Sequence, residues 1–185
     1  MARPIKSLWL FLLSVLGLSG GAAAATTAVL CNSDIQGESL FAAAPGCIDV
    51  LAWSWGLSLP PGGIGGSVGI QGFSVTKYID SSSENLFAFV TNQIRLSDTV
   101  EFRDYVTCST GCTSQTPYLT IHMKGTRVAS QSMGGSGGED RHTENVTFTF
   151  DQISYCYRPT TKGGTLGPAQ CFAYDLPSKS PIAPF

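Results

Sequence analysis

Charge is what this sequence has least of. Only 13% of its 185 residues are Asp, Glu, Lys or Arg, and there are just 2 histidines. No stretch gathers Lys and Arg into the basic stripe that phosphate recognition needs, which excludes a nucleic-acid reader. Beyond residue 25 no apolar run approaches the roughly 20 residues of a spanning helix, so no stable membrane insertion is expected. No phosphate loop or nucleotide-binding motif is present, and no cofactor is expected. What is plentiful is glycine, at 21 residues, within a chain that is 43% hydrophobic. That suits one domain with a real core and leaves no room for two large ones. Little charge with much glycine and aromatic area points to a β protein whose surface is engaged by partners.

The N-terminus stands apart. Arg3 and Lys6 precede the apolar run Leu8 to Leu18, and small residues follow through Ala25. A basic start, a short apolar core and an Ala-x-Ala site read as a secretory signal peptide over residues 1–25. Leu30 before Cys31 argues against lipid attachment, which wants a small residue there. Without Arg3 and Lys6, 9 of the 11 basic side chains remain against 13 acidic ones, a net charge near −4. The expected division is a leader at 1–25, a β domain at 26–176 and a Pro-rich exposed tail at 177–185, in an exported protein that is periplasmic or extracellular.

All 6 cysteines follow the leader. An even count in an exported chain argues for disulfides, and six cysteines allow 15 pairings. Sequence neighbourhood favours Cys31–Cys47, Cys108–Cys112 and Cys156–Cys171, each pair flanking one turn between strand-like segments. A zinc site from Cys108, Cys112, His122 and His142 competes weakly, because the second knuckle of usual spacing is missing. No metal is expected.

The rest of the chain is organised around Cys47 to Gly56. Ile48, Val50, Ala52 and Ser54 alternate with Asp49, Leu51, Trp53 and Trp55, so this stretch reads as a strand with both tryptophans opposite Ile48 and Val50. Such tryptophans are core or interface anchors, or a platform for stacking carbohydrate. Leu59 to Gly69 carries two prolines and five glycines and holds no regular element. Val68 to Asp80 is a strand. Ser81-Ser82-Ser83-Glu84 is the one good helix start, predicting a serine-capped helix from about Ser83 to Asn92. Strands follow over Ile94 to Thr107, Tyr118 to Val128 and Val146 onward, where a phase change at Asp151-Gln152 reads as a β-bulge. Ala169 to Leu176 closes the series. The fold class is mainly β, an antiparallel barrel or sandwich with one short helix; a barrel would hide the edges.

Chemistry is sparse. Gly134-Gly135-Ser136-Gly137-Gly138 matches G-x-S-x-G, but a nucleophile elbow must lead from strand into helix, and here a polar loop runs into a strand. His142 beside Glu139 and Asp140 is the pattern of a solvated charge cluster. Asn145-Val146-Thr147 is a glycosylation sequon at a strand start. No catalytic residue is assigned, and the chain reads as a non-enzyme.

IDVLAWSWG, the Gly-rich loop, QGFSVTKYIDSSSENLFAFV and, much later, GGSGGEDRHTENVTFTFDQISYCYRP occur in the order and spacing of one family. The chain resembles the Hcp proteins of type VI secretion tubes over most of Leu30 to Asp175. The resemblance implies a β-barrel with one small helix, assembled with itself as a six-membered ring that stacks into tubes and carries a passenger, with secreted effectors or other tube components as further partners. It also implies that the loop Pro60, Pro61, Gly62, Gly63, Ile64, Gly65 and Gly66 docks on a neighbouring subunit beside Trp53 and Trp55. One departure matters: a tube subunit built in the cytoplasm resembles a leaderless, cysteine-poor protein, whereas this chain has a leader and six cysteines. An exported relative is expected. The competing reading is a secreted monomeric barrel that holds a glycan or peptide with Trp53, Trp55, Tyr155 and Tyr157.

Overall fold

The computed structural model describes residues 25–59, 68–107, 115–138, 140–161 and 165–185. Strands β1 (Ala25–Cys31), β2 (Ile48–Ser54), β5 (Phe73–Tyr78), β6 (Val100–Thr107), β7 (Leu119–Lys124), β8 (Arg127–Gly134), β9 (Thr143–Thr149), β10 (Gln152–Tyr157), β11 (Gln170–Asp175) and β12 (Ser180–Ile182) form one antiparallel sheet, with apolar residues alternating most clearly along β5, β7 and β9. Its order is β12-β11-β10-β7-β6-β1-β2-β5-β9-β8. A small hairpin, β3 (Leu57–Ser58) with β4 (Gly69–Ile70), extends from the far end of β2. One helix, α1 (Ser82–Asn92), follows β5.

The sheet rolls because two very short connections join strands that are distant in its order. Gly125 and Thr126 link β7 to β8, and Phe150 and Asp151 link β9 to β10. The two corners lock together: the Asp151 amide donates to the Lys124 carbonyl at 2.9 Å and the Leu176 amide to the Asp151 carbonyl at 2.8 Å. Gly125 sits at φ +64°, and a Cβ there would collide with the Asp151 carboxylate. The roll buries one cluster drawn from strands along the whole sheet, including Leu30, Ile48, Phe73, Phe102, Ile121, Val146, Phe148 and Ile153.

The expected closed barrel is not formed. Among the described residues no ladder joins β8 to β12, and the sheet stays open. Its β8 edge is managed another way, by α1 lying along it: the Gln131 amide donates to the Ser83 carbonyl at 3.1 Å and Arg127 to the Gln93 carbonyl at 3.2 Å. A covered edge is as safe as a closed one.

Other expectations change for local reasons. The phase change at Asp151-Gln152 is the corner between β9 and β10, which pair with different partners, and not a bulge within one strand. The bulges lie between Val50 and Ala52 on β2 and between Val128 and Ser130 on β8. Tyr118 to Val128 is broken by the corner at Gly125. The tail from Pro177 is exposed but not free, since Ser180–Ile182 adds the edge strand β12 to β11. The helix stands where its pattern put it, yet no serine hydroxyl caps it. The Asp80 carboxylate does so, accepting from the Ser82 amide at 2.9 Å.

Candidate functional site

The tryptophan strand is where sequence and structure differ most. The bulge after Val50 inserts one residue and turns the phase of β2. Trp53 therefore pairs with Val75 just as Val50 pairs with Lys77, and both tryptophans join the core side with Ile48 and Val50 rather than opposing them. Trp53 stacks on Phe73 at 5.9 Å and tilts onto Phe102 at 5.0 Å, with 37% of its surface exposed. Trp55 goes further along the same side and lines a cavity of about 240 Å³. Leu57, Val68 and Ile70 of the small hairpin form one wall, and Ile153, Tyr155, Phe172 and Tyr174 of β10 and β11 the other. Almost the whole lining is apolar. The cavity thus lies between the hairpin beyond β2 and the faces of β10 and β11.

The expected docking residues Pro60, Pro61, Gly62, Gly63, Ile64, Gly65 and Gly66 lie outside the described residues, as do Cys108 and Cys112. The other cysteines are paired. Cys31 joins Cys47, tying the end of β1 to the start of β2, and Cys156 joins Cys171 across β10 and β11. Both are neighbours for which backbone pairing had already set the distance, directly so for Cys156 and Cys171.

Beside Trp53, Asp104 is buried on β6 and accepts a hydrogen bond from the Tyr118 hydroxyl at 2.8 Å. Burial pushes the Asp104 carboxyl above the usual carboxylate range, opposed by hydrogen bonds from Tyr118 and the Trp53 indole. Burial and the facing Asp104 push the Tyr118 phenol up to about 12.

A cluster that sequence reading missed lies under α1. Lys77, Glu144 and Ser83 are buried, and the Lys77 ammonium donates to Glu144, to Asp80 and the Tyr78 carbonyl at 2.8 Å, and to the Ser83 hydroxyl at 3.3 Å. Glu144 also accepts from Ser83 at 2.7 Å and from the Gln131 amide at 2.6 Å. The group clamps β5, β8 and β9 to the helix. Its signal was in the alternation: Lys77 continues the inward series Phe73, Val75, and Glu144 opens the series Val146, Phe148.

The remaining candidates scatter. Ser136 sits in the turn between two antiparallel strands, β8 and β9, so no helix follows it. His122 lies on β7 against Phe185, and the His142 ring lies against Gly135. Among the described residues no group of three His, Cys, Asp or Glu side chains could hold a metal ion, and no helix is long and apolar enough to cross a membrane. The Asn145 side chain of the sequon accepts from Thr76 at 2.7 Å within the sheet. Tyr155 and Tyr157 are partly exposed on β10, but only Tyr155 lines the cavity.

With this geometry in place, similarity to other proteins is informative. Residues 29–157 match the family model described as type VI secretion system effector, Hcp. Protein hcp1 of Pseudomonas aeruginosa is 40% identical over 142 residues, 71% of this chain and 82% of its own length. Among solved structures, a type six secretion system protein superposes with a TM-score of 0.75 at 20% identity, covering 85% of this chain and 100% of its own. Hcp1 from Salmonella typhimurium gives 0.71 at 20% identity, covering 86% and 100%. The rolled sheet with its edge helix is thus the architecture of those proteins, and the chain belongs to the Hcp family of type VI secretion.

Proposed function

We propose that this protein is a non-enzymatic subunit that forms six-membered rings, and that these rings stack into tubes able to hold a passenger protein. The observation that carries the reading is the 40% identity to Protein hcp1, spread over most of both chains. A closed ring needs one surface to meet a different surface of the next copy through a fixed rotation. The loop Pro60 to Gly66 and the neighbouring Trp53 and Trp55 edge are the proposed lateral contacts. Residues 1–25 act as a leader that exports the chain, and the disulfides Cys31–Cys47 and Cys156–Cys171 fit an oxidising compartment. Secreted effectors or other tube components are the proposed further partners.

The test is the native mass, by light scattering, of the mature chain produced in an oxidising periplasm. A mass of six subunits is expected. A monomer at every concentration would overturn the ring and leave the second reading, a secreted binding module. The observation favouring that one is the aromatic cavity lined by Trp55, Tyr155 and Phe172. A binding module would answer glycan or peptide titration with a change in tryptophan fluorescence and no change in mass.

A further inference from the structure

The outer face of the sheet, opposite the core, carries a row of residues that pair across four neighbouring strands. Ile182 of β12 stands beside Ala173 of β11, Ala173 beside Ser154 of β10, and Ser154 beside His122 of β7. Ala173 and Ser154 are nonetheless buried, each at 1% exposure. What covers them is the tail. After Ile182 it crosses the strands, and Phe185 comes to rest at the far end of the row. Its ring stacks on His122, with the Lys124 ammonium 3.8 Å from its centre. The His122 ring also donates from Nδ1 to the Phe185 carbonyl.

This strap is specific at its tip and weak at its root. A cation over an aromatic face holds Phe185. The β11–β12 ladder, by contrast, is only 3 residue pairs long and has Pro181, which lacks an amide hydrogen, in its middle. The hinge is strained, since Lys179 sits at φ +52°, a left-handed conformation that side chains rarely adopt. The span is also taut. Three strand spacings, about 14 Å, separate β12 from β7. The residues from Ile182 to Phe185 extend about 10 Å, so the His122 and Phe185 side chains close the rest. Beneath the strap the Ser154 hydroxyl is left without a partner.

We propose that residues 180–185 exchange between copies: the strap of one molecule docks along the Ala173, Ser154, His122 row of a second copy, with its Phe185 on that copy's His122 and Lys124. The contacts are the same in either molecule, because both rows have one sequence, and the hinge therefore sets the balance. Docking on a second copy opens the β11–β12 turn and releases Lys179, and a short strained hinge favours exchange. Opposing it is the entropy of bringing two copies together, which shrinks where copies are held close. Dilute protein keeps the strap in its own molecule, and crowded copies trade it. Two copies suffice, and the row lies on the sheet face opposite Trp53 and Trp55.

A photoreactive benzoylphenylalanine in place of Phe185 keeps an aromatic ring and records where it rests. Full chains exported to an oxidising periplasm, half of them isotopically heavy, are mixed, concentrated and illuminated, and the cross-linked peptides are read by mass spectrometry. Heavy-to-light links from position 185 to the peptide holding His122 and Lys124 are expected, giving way on dilution to links within one chain. Lys179→Gly, which relaxes the hinge, should lower the heavy-to-light share several-fold. A light Phe185→Ala chain, whose own strap lacks its tip, should accept the heavy chain's label several-fold more often than the parent. Links confined to single chains at every concentration, heavy-to-light links on other surfaces only, or shares that neither variant moves would each overturn the exchange.

Discussion

Replacing Lys77 with Met removes one buried charge and keeps most of its methylene packing. The ammonium is surrounded by four oxygens, on Glu144, Asp80, Tyr78 and Ser83. Without it, two carboxylates with 0% and 7% of their side chains exposed face each other with no cation. Stranding a buried charge costs about 3–5 kcal/mol. Glu144 keeps its bonds from Ser83 and Gln131, and Asp80 keeps those from Ser82, which places the expected loss at the lower end, about 3 kcal/mol. At about 2–4 °C per kcal/mol for a domain this size, Tm should fall by about 6–12 °C. Urea unfolding followed by tryptophan fluorescence gives the free energy directly. The sharper test is the pair. Glu144→Gln alone should destabilise, by about 1–2 kcal/mol, because it weakens a charged hydrogen bond. Added to Lys77→Met it should stabilise, because it neutralises a stranded carboxylate. If Lys77→Met cost under about 1 kcal/mol, or if the two changes simply added, the cluster would not be the clamp described.

Three further outcomes are expected. Trp53→Ala should cost about 2–4 kcal/mol in urea unfolding of the separated monomer, since its stacking on Phe73 and Phe102 is intramolecular; an unchanged monomer stability would refute that packing role, whatever the change does to assembly. Replacing both Cys156 and Cys171 with Ser should lower stability by about 3 kcal/mol in oxidising buffer, the loop-closure value for a separation of 15 residues, and added thiol should then do less to the variant than to the parent. The Tyr118 phenol should titrate near 12 by ultraviolet absorbance, and Asp104→Asn should bring it down, by removing the facing acid. Its folded value lies above the unfolded one, so the stability it lends is complete below pH 10 and declines as pH rises toward 12; an unchanged titration in Asp104→Asn would remove Asp104 as a cause.

Much of the fold was legible because a strand's two faces are written in alternate residues. The inward series Phe73, Val75 and Leu119, Ile121, Met123 could be read directly. The helix was legible from Glu84 in the first turn and the apolar spacing of Leu86 and Val90. Its cap was not, because Asp80 competes for the Ser82 amide from outside the serine run. The tryptophan face was misjudged for one reason: an inserted residue at Leu51 costs nothing in composition and reverses every side chain after it. Lys77 and Glu144 were passed over because charge is usually a sign of surface, and only their partners in space make burial tolerable.

By itself the sequence determined the β class, the helix α1, the family and two of the cysteine pairs, because each depends on local periodicity, spacing or near neighbours. Tertiary structure alone decided that the sheet rolls without closing, that α1 covers the β8 edge and that the tail adds a strand. It also brought Lys77 to Glu144 and left an apolar gap beside Trp55. These features join residues far apart in the chain, and their free energies depend on which strands pair with which, a choice that no window of sequence contains.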